Sequence, residues 1–461
     1  MRPISRLRFD ALATYARDPR ANLLSEELGY FEHADERVLG ILIRDWTDND
    51  YAGVVLARDE LYQYRWIKGT DFQPTPRHAT ALLRRELELT AMQSEDAYHQ
   101  GHKRPKPVDF FTPVVEQDVL NPAFRRLIEA EQFSSARGII EPMMRWYQDV
   151  DGNFIEQFQT TGFDARVWEL YFFAMLTELN LLIDRTEPAP DFLAESLFGK
   201  IAIEAVTVNP TEKGVGTLGE PPDRNTKEGM WAYRNEYMPI KFGSVLYSKL
   251  RRRYWTKKHV RGVPLVLAVQ DFSLPGSMTF TGSALGVYLY GYDHDPSRAE
   301  EGRLIVTPRR VTTHKWGEKE IPSGFFFQPE AENISAVLAN FSGTLSKFNR
   351  IGRMAGFGSK RVQMIRRGVA IDLDPDASEP VQFEHDVGSP EYHETWVEGC
   401  TVFHNPLALV PLDPDLIPGA THLRLREDGQ VVPLARPSFH PLGSWTVLGV
   451  PGEPPSVAES E

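Results

Sequence analysis

The stretch PAPDFLAESLFGKIAIEAVTVNP, Pro188 to Pro210, decides the fold. In its second half Ile201, Ile203, Ala205 and Thr207 share one face of an extended chain, while Ala202, Glu204, Val206 and Val208 share the other. Both faces are apolar except at Glu204, the pattern of a strand buried on both sides. A glutamate is almost never buried without a partner, so Glu204 requires one.

The first half supplies a candidate, and it is not a cation. With a turn over Ser196–Gly199, antiparallel pairing sets Glu195 opposite Lys200 and Asp191 opposite Glu204. Two like charges about 4 Å apart repel by on the order of 4 kcal/mol at an effective dielectric near 20. Either one carboxylate takes up a proton or a cation sits between the two. Hard oxygen ligands on a hairpin suit Mg²⁺, or Mn²⁺, with other positions left for water and substrate phosphate. A third acid, Glu169, stands in the apolar helix TGFDARVWELYFFAMLTELN. It either approaches the same ion, directly or through water, or pairs with Arg166 at helical spacing.

Outward from this stretch, residues 1 to about 115 read as an N-terminal mixed α/β domain. RVLGILIRDWTDNDYAGVVLARDELYQYRWI has the character of meandering strands, and PRHATALLRRELELTAMQ that of a helix with proline at its start. Residues 116–275 form the central domain, with helical stretches before Pro188, a helix near 235–255 and the buried strand PLVLAVQDF. A β-rich accessory region follows over 276–450, with one expected helix at ENISAVLANFSGTLSKFN, and residues 451–461 read as a disordered tail. The fold class is α/β (α+β): a mixed sheet flanked by helices, with accessory regions at both ends.

The order of helix with Glu169, strand with Pro190-Asp191, strand with Glu204, helix and strand resembles the core of the PD-(D/E)XK nuclease superfamily, the restriction-endonuclease-like fold, over roughly residues 155 to 275. The resemblance implies one or two divalent metals held by Asp191, Glu204 and the main-chain carbonyl of Ala205, and metal-dependent hydrolysis of phosphodiesters. The family's lysine, two residues after the glutamate, is absent, because that position is Val206. Some members bring the lysine from a neighbouring element. The following helix offers Lys249, embedded among apolar residues, and Lys241 as the alternative, some 80° apart around the helix.

The net charge of −13 and 25% charged residues fit an ordinary globular protein and argue against a generally basic nucleic-acid binder. Two acid-free runs reverse the sign locally: eight Lys or Arg from Lys241 to Arg261, and seven from Lys347 to Arg367. Together they point to a polyanion-binding surface, with Arg251, Arg252, Arg253, Lys257 and Lys258 on the backbone of DNA, the expected partner, or RNA. Tyr254 and Trp255 either stack on a base or pack in the core. One cysteine, Cys400, and no long apolar segment place the chain in the cytoplasm, away from membranes.

Other constellations are weaker. EHDVGSPEYHE lacks the spacing of a helical zinc site and reads as a surface loop. GRMAGFGSKR has the wrong glycine-to-lysine spacing for a phosphate loop, and FHNPLALVPLDP reads as a turn followed by a buried strand with His404 structural. The alternatives to a nuclease are a catalytically inactive nucleic-acid-binding module on the same fold, and a retaining glycosidase using Asp191 and Glu204. The glycosidase reading leaves both basic runs unexplained.

Overall fold

The computed structural model describes residues 1–98, 109–147, 149, 152–211, 218–452 and 456–458. The chain divides into two compact units: residues 1–160, 180–182 and 348–360 form the first, and 161–179, 183–347 and 361–461 the second. These bounds differ from the sequence-based boundaries near 115 and 275.

The first unit carries the expected meander. Strands β1 (Arg2–Ile4), β2 (Ser25–His33), β3 (Val38–Asp45), β4 (Tyr51–Arg58) and β5 (Tyr64–Gly69) pair antiparallel in sequence order. Alternation along β3 sends Leu39 and Ile41 toward Phe9 and Leu12 of α1 (Arg6–Ala13), and Val38 and Leu42 toward Leu83 and Leu87 of α2 (Pro76–Ala91). Thr75 caps α2, accepting from the backbone N–H of His78, with Pro76 at the first helical position. Helix α2 lies close to the sheet because Gly53 has no side chain; a Cβ there would stand 2.8 Å from Cβ of Leu83. Helices α3 (Pro122–Glu129), α4 (Ser134–Trp146) and α5 (Phe154–Gln159) complete this unit.

The second unit opens with α6 (Phe163–Glu178), of which 11 of 16 residues are buried, as its apolar sequence requires. An eight-stranded mixed sheet follows: β6 (Leu182–Asp184), β7 (Phe192–Ser196), β8 (Gly199–Val208), β9 (Leu265–Asp271), β14 (Ala336–Asn340), β17 (Cys400–His404), β18 (Thr421–Leu425) and β19 (Val431–Ala435), in the order β19-β18-β17-β14-β9-β8-β7-β6. Strands β8, β9 and β14 run parallel, and every residue of β9 is buried. Between β8 and β9 lie α7 (Lys227–Ala232), a π turn over Tyr233–Tyr237 and α8 (Met238–Leu250). Helix α9 (Gly282–Tyr290) and the hairpins β10 (Tyr292–Arg298) with β11 (Leu304–Arg310), and β12 (Thr313–Trp316) with β13 (Lys319–Pro322), precede β14. A smaller antiparallel sheet has the order β16-β15-β20-β21, from β15 (Gln363–Ala370), β16 (Val381–Asp386), β20 (Pro441–Gly449) and β21 (Ser456–Ala458).

Three expectations are corrected. The residues after 275 do not form only an accessory region, because β14, β17, β18 and β19 extend the central sheet. The helix expected over ENISAVLANFSGTLSKFN is instead the strand β14 followed by the start of α10 (Leu345–Met354). The run Ala336–Ala339 is too short for its periodicity to distinguish strand from helix, and pairing between β9 and β17 decides it. In the tail, Ser456–Ala458 pair with Thr446–Leu448, while 453–455 and 459–461 lie outside the described residues. No helix among the described residues is long and apolar enough to cross a membrane.

Candidate functional site

The hairpin register sets the site. Ser196 pairs with Gly199, Glu195 with Lys200 and Phe192 with Ile203, leaving Leu197-Phe198 as the turn. The Glu195–Lys200 ion pair spans 3.0 Å. Asp191 stands one residue before β7, in line with Glu204, and its Oδ2 accepts the backbone N–H of Ala205 at 2.7 Å. Beyond the last strand pair, then, a side chain substitutes for the missing backbone acceptor and fixes the carboxylate beside β8.

Glu204 sits mid-strand between β7 and β9, 5% exposed. Its Oε1 accepts from Lys249 Nζ at 2.5 Å and from the hydroxyl of Tyr254 at 2.7 Å. Its Oε2 is buried and has no hydrogen-bond partner among the described residues. Lys249 reaches it from the last turn of α8, and Tyr254 from the short 3₁₀ turn that follows. Arg253, in the left-handed region at φ 50°, turns the chain so that Tyr254 points inward.

Glu169, buried on α6, pairs with Arg166 Nη1 at 2.8 Å, the helical-spacing alternative. Its charge still bears on Asp191. Burial pushes the Asp191 carboxyl well above the usual carboxylate range, the negative charges of Glu204 and Glu169 add to the rise, and the Ala205 N–H and the Lys249 ammonium oppose it. The Tyr254 phenol is also driven far above its ordinary value, by burial first and by Glu204 second. Lys241 is directed elsewhere, onto the carbonyl of Asn209 at 2.6 Å and Thr211 Oγ1 at 2.9 Å, and burial lowers its pKa. Of the two lysines, Lys249 joins the carboxylates.

Among the described residues no group of three or more His, Cys, Asp or Glu side chains is gathered closely enough to hold a metal ion. What the chain offers is a carboxylate pair, Asp191 and Glu204, with the carbonyl of Ala205 on the adjoining residue. Two carboxylates with a vacant buried oxygen fit a hard cation that keeps water and phosphate as its remaining ligands.

The two basic runs part company. Arg251, Arg252, Arg253 and Lys258 are exposed and Lys257 is half-buried, all within nine residues of Lys249. Arg253 is spent in part on Glu330, with Nε 3.1 Å from Oε2. Tyr254 packs inside and Trp255 is half-buried. The second run is split: Lys347, Arg350 and Arg366 are buried and face the interior, while Lys360, Arg361 and Arg367 are exposed. Arg366 donates to Glu398 Oε1 at 2.6 Å and to Ser444 Oγ at 3.1 Å, and Lys347 to the carbonyl of Glu398 at 2.7 Å. Glu394, expected on a surface loop, faces both cations from the interior at 3.5 and 3.6 Å. His404 ends β17, with Nε2 2.9 Å from Nδ1 of His422; the residues after it form a loop, and the buried strand precedes rather than follows.

Sequence reasoning missed Tyr254 as a partner of Glu204. The available signal was an aromatic pair interrupting a run of cations immediately after the helix that carries Lys249. The chain matches no family model, no curated protein and no solved structure.

Proposed function

We propose that the protein is a Mg²⁺- or Mn²⁺-dependent nuclease of the PD-(D/E)XK type, hydrolysing phosphodiester bonds of DNA or RNA. The observation that carries this reading is the buried Asp191–Glu204 pair, in which Oε1 of Glu204 is held by Lys249 and Tyr254 while Oε2 is left without a partner. Most buried side-chain oxygens have at least one hydrogen-bond partner, so an unpaired Oε2 calls for an explanation, and a bound cation supplies one. The order of α6, β7, β8, α8 and β9, and the Lys249 ammonium in place of a strand lysine, support the same reading.

Asp191 and Glu204 would hold the cation with the Ala205 carbonyl. The ion supplies polarisation of the scissile phosphate and a lowered pKa for a bound water. The protein's own groups do the rest. The Ala205 N–H fixes the rotamer of Asp191. Lys249 and Tyr254 clamp one oxygen of Glu204, so that the other presents a single direction. The Lys249 ammonium, beside Glu204, would stabilise negative charge developing on phosphate. Arg251, Arg252, Lys257 and Lys258 hold the substrate backbone and carry no sequence information.

The test is cleavage of end-labelled DNA and RNA with Mg²⁺ or Mn²⁺. The wild type is expected to cut and Asp191→Asn and Glu204→Gln to leave substrate intact; equal cutting by both variants would refute the assignment. The second reading is a nucleic-acid-binding module without catalysis. It is favoured by Val206 at the family's lysine position and by the direct Lys249–Glu204 ion pair, which can neutralise the acid without a metal. Salt-sensitive binding without cleavage at any metal concentration would select it.

A further inference from the structure

A cleft lies in the second unit, away from the carboxylates. It encloses about 530 Å³ between α9, the β17–β18 end of the large sheet and the smaller sheet, within the range of small-molecule sites. The strand register places it relative to Glu204. Glu204 aligns with Leu267, Leu267 with Val337, Val337 with Phe403 and Phe403 with Leu423, so Phe403 and Leu423 line the cleft from the sheet face that carries Glu204. From β8 to β17 is three strand spacings, about 14 Å.

Its chemistry is uneven. The walls are aromatic and aliphatic, with Phe280, Phe341 and Phe403 among them. Space is open along α9 because Gly286 has no side chain; a Cβ there would stand 3.4 Å from Phe403, an ordinary contact, and a longer side chain would extend into the cleft. The polar floor is His440, buried, bonded by Thr401 Oγ1 at 3.2 Å and by Thr421 Oγ1 at 2.9 Å. Two full charges line the site. Asp293 is neutralised by Arg309. Arg234 is exposed and makes no hydrogen bond or ion pair among the described residues. It projects from the π turn between α7 and α8, a distortion of the regular helix that is frequent at functional sites.

We propose that this cleft binds a small organic anion with a flat apolar ring system, its rings between α9 and Phe403 and its charge on Arg234. The site is independent of the metal reading: it needs no cation, and its occupant is not a nucleic-acid backbone, since a single arginine serves it.

The experiment is calorimetric titration of the full-length protein with naphthalene-1-sulfonate, in chelator, with the neutral naphthalene-1-sulfonamide as the charge control. One-to-one saturable binding of the sulfonate is expected, weakened about tenfold by Arg234→Gln. Binding of the sulfonamide should be weaker and indifferent to that change. Gly286→Leu should remove binding of both while retaining the wild-type circular dichroism spectrum. If that variant does not fold, the Arg234→Gln comparison decides alone, because its side chain is exposed. Absence of saturable binding up to about 1 mM, or equal affinity in wild type and Arg234→Gln, or binding by folded Gly286→Leu, would overturn the proposal. Repeating the titration with Asp191→Asn should change nothing, which separates this result from the fate of the nuclease reading.

Discussion

Glu204 is the residue on which the proposed chemistry turns, because it is a buried acid with two donors on one oxygen and none on the other, so only half of its carboxylate is hydrogen-bonded. Lys249→Met removes the cation while leaving the carboxylate buried, and should destabilise the metal-free protein by about 2 kcal/mol, read as a lowered urea midpoint at unchanged slope. Tyr254→Phe removes a neutral donor of the same shape and should cost about 1 kcal/mol. Asp191 sets the pH dependence. Its native pKa is raised, so the folded state binds more protons than the unfolded one between the ordinary value of about 4 and the raised native value. Stability from this group is therefore fully present at acid pH and declines as pH rises through that window. Mg²⁺ should reverse the decline and release protons on binding; denaturation curves at pH 5 and pH 9, with and without the ion, check both signs. Indifference of the stability difference to Mg²⁺ would count against the metal site.

At the scale of elements, the hairpin β7–β8 shows what was legible in advance. Its register follows from the two-residue turn and from Glu195 meeting Lys200, so the alignment of Asp191 with Glu204 could be read from index arithmetic. The meander and α2 were legible for the same reason, since alternation and a proline-led helix are local signals. Ala336–Asn340 was not legible: its identity as a strand rests on partners some 70 residues earlier and 60 later, and no local pattern carries that. The burial of Lys347 and Arg366 was hidden too, because a charge run names no partner and Glu394 and Glu398 lie 27 or more residues beyond. Close packing also gives α2 a prediction. Gly53→Val places side-chain atoms against Leu83 and should destabilise the first unit by about 2 kcal/mol, visible as a lower melting temperature. A further element-scale effect is acidic. His440 is held neutral between Thr401 and Thr421, its pKa lowered by burial to about 4. A lowered native value gives stability that is present above the unfolded value of about 6.5 and lost as pH falls toward the native one, so His440→Gln should flatten the loss of stability between pH 6.5 and 4.

Across the whole molecule the charge is −13, yet the run that contains Lys249 is basic, so the proposed attraction of a nucleic acid would depend on a local patch working against the global field. The two acid-free runs look alike in sequence and differ in physics. Cations exposed beside the candidate site can release counterions from a phosphate backbone, whereas Arg366 and Lys347, buried against Glu394 and Glu398, cannot. The salt dependence of binding separates them. Four phosphate contacts, from Arg251, Arg252, Lys257 and Lys258, would give a slope of log affinity against log salt of about −3.6 on duplex DNA, at about −0.9 for each contact. Replacing Arg251 and Arg252 together with glutamine should weaken binding to every sequence alike and bring the slope to about −1.8. Arg366→Gln should leave the slope where it was and lower stability instead, because it strips a buried charge from Glu398 and Glu394. Fluorescence anisotropy with a labelled duplex over about 50–200 mM salt, with Ca²⁺ in place of Mg²⁺ so that binding is read without cutting, measures all three slopes. A change of slope in Arg366→Gln equal to that of the double variant would mean that the second run reaches the nucleic acid, and the assignment of the first run as the substrate surface would lose its basis.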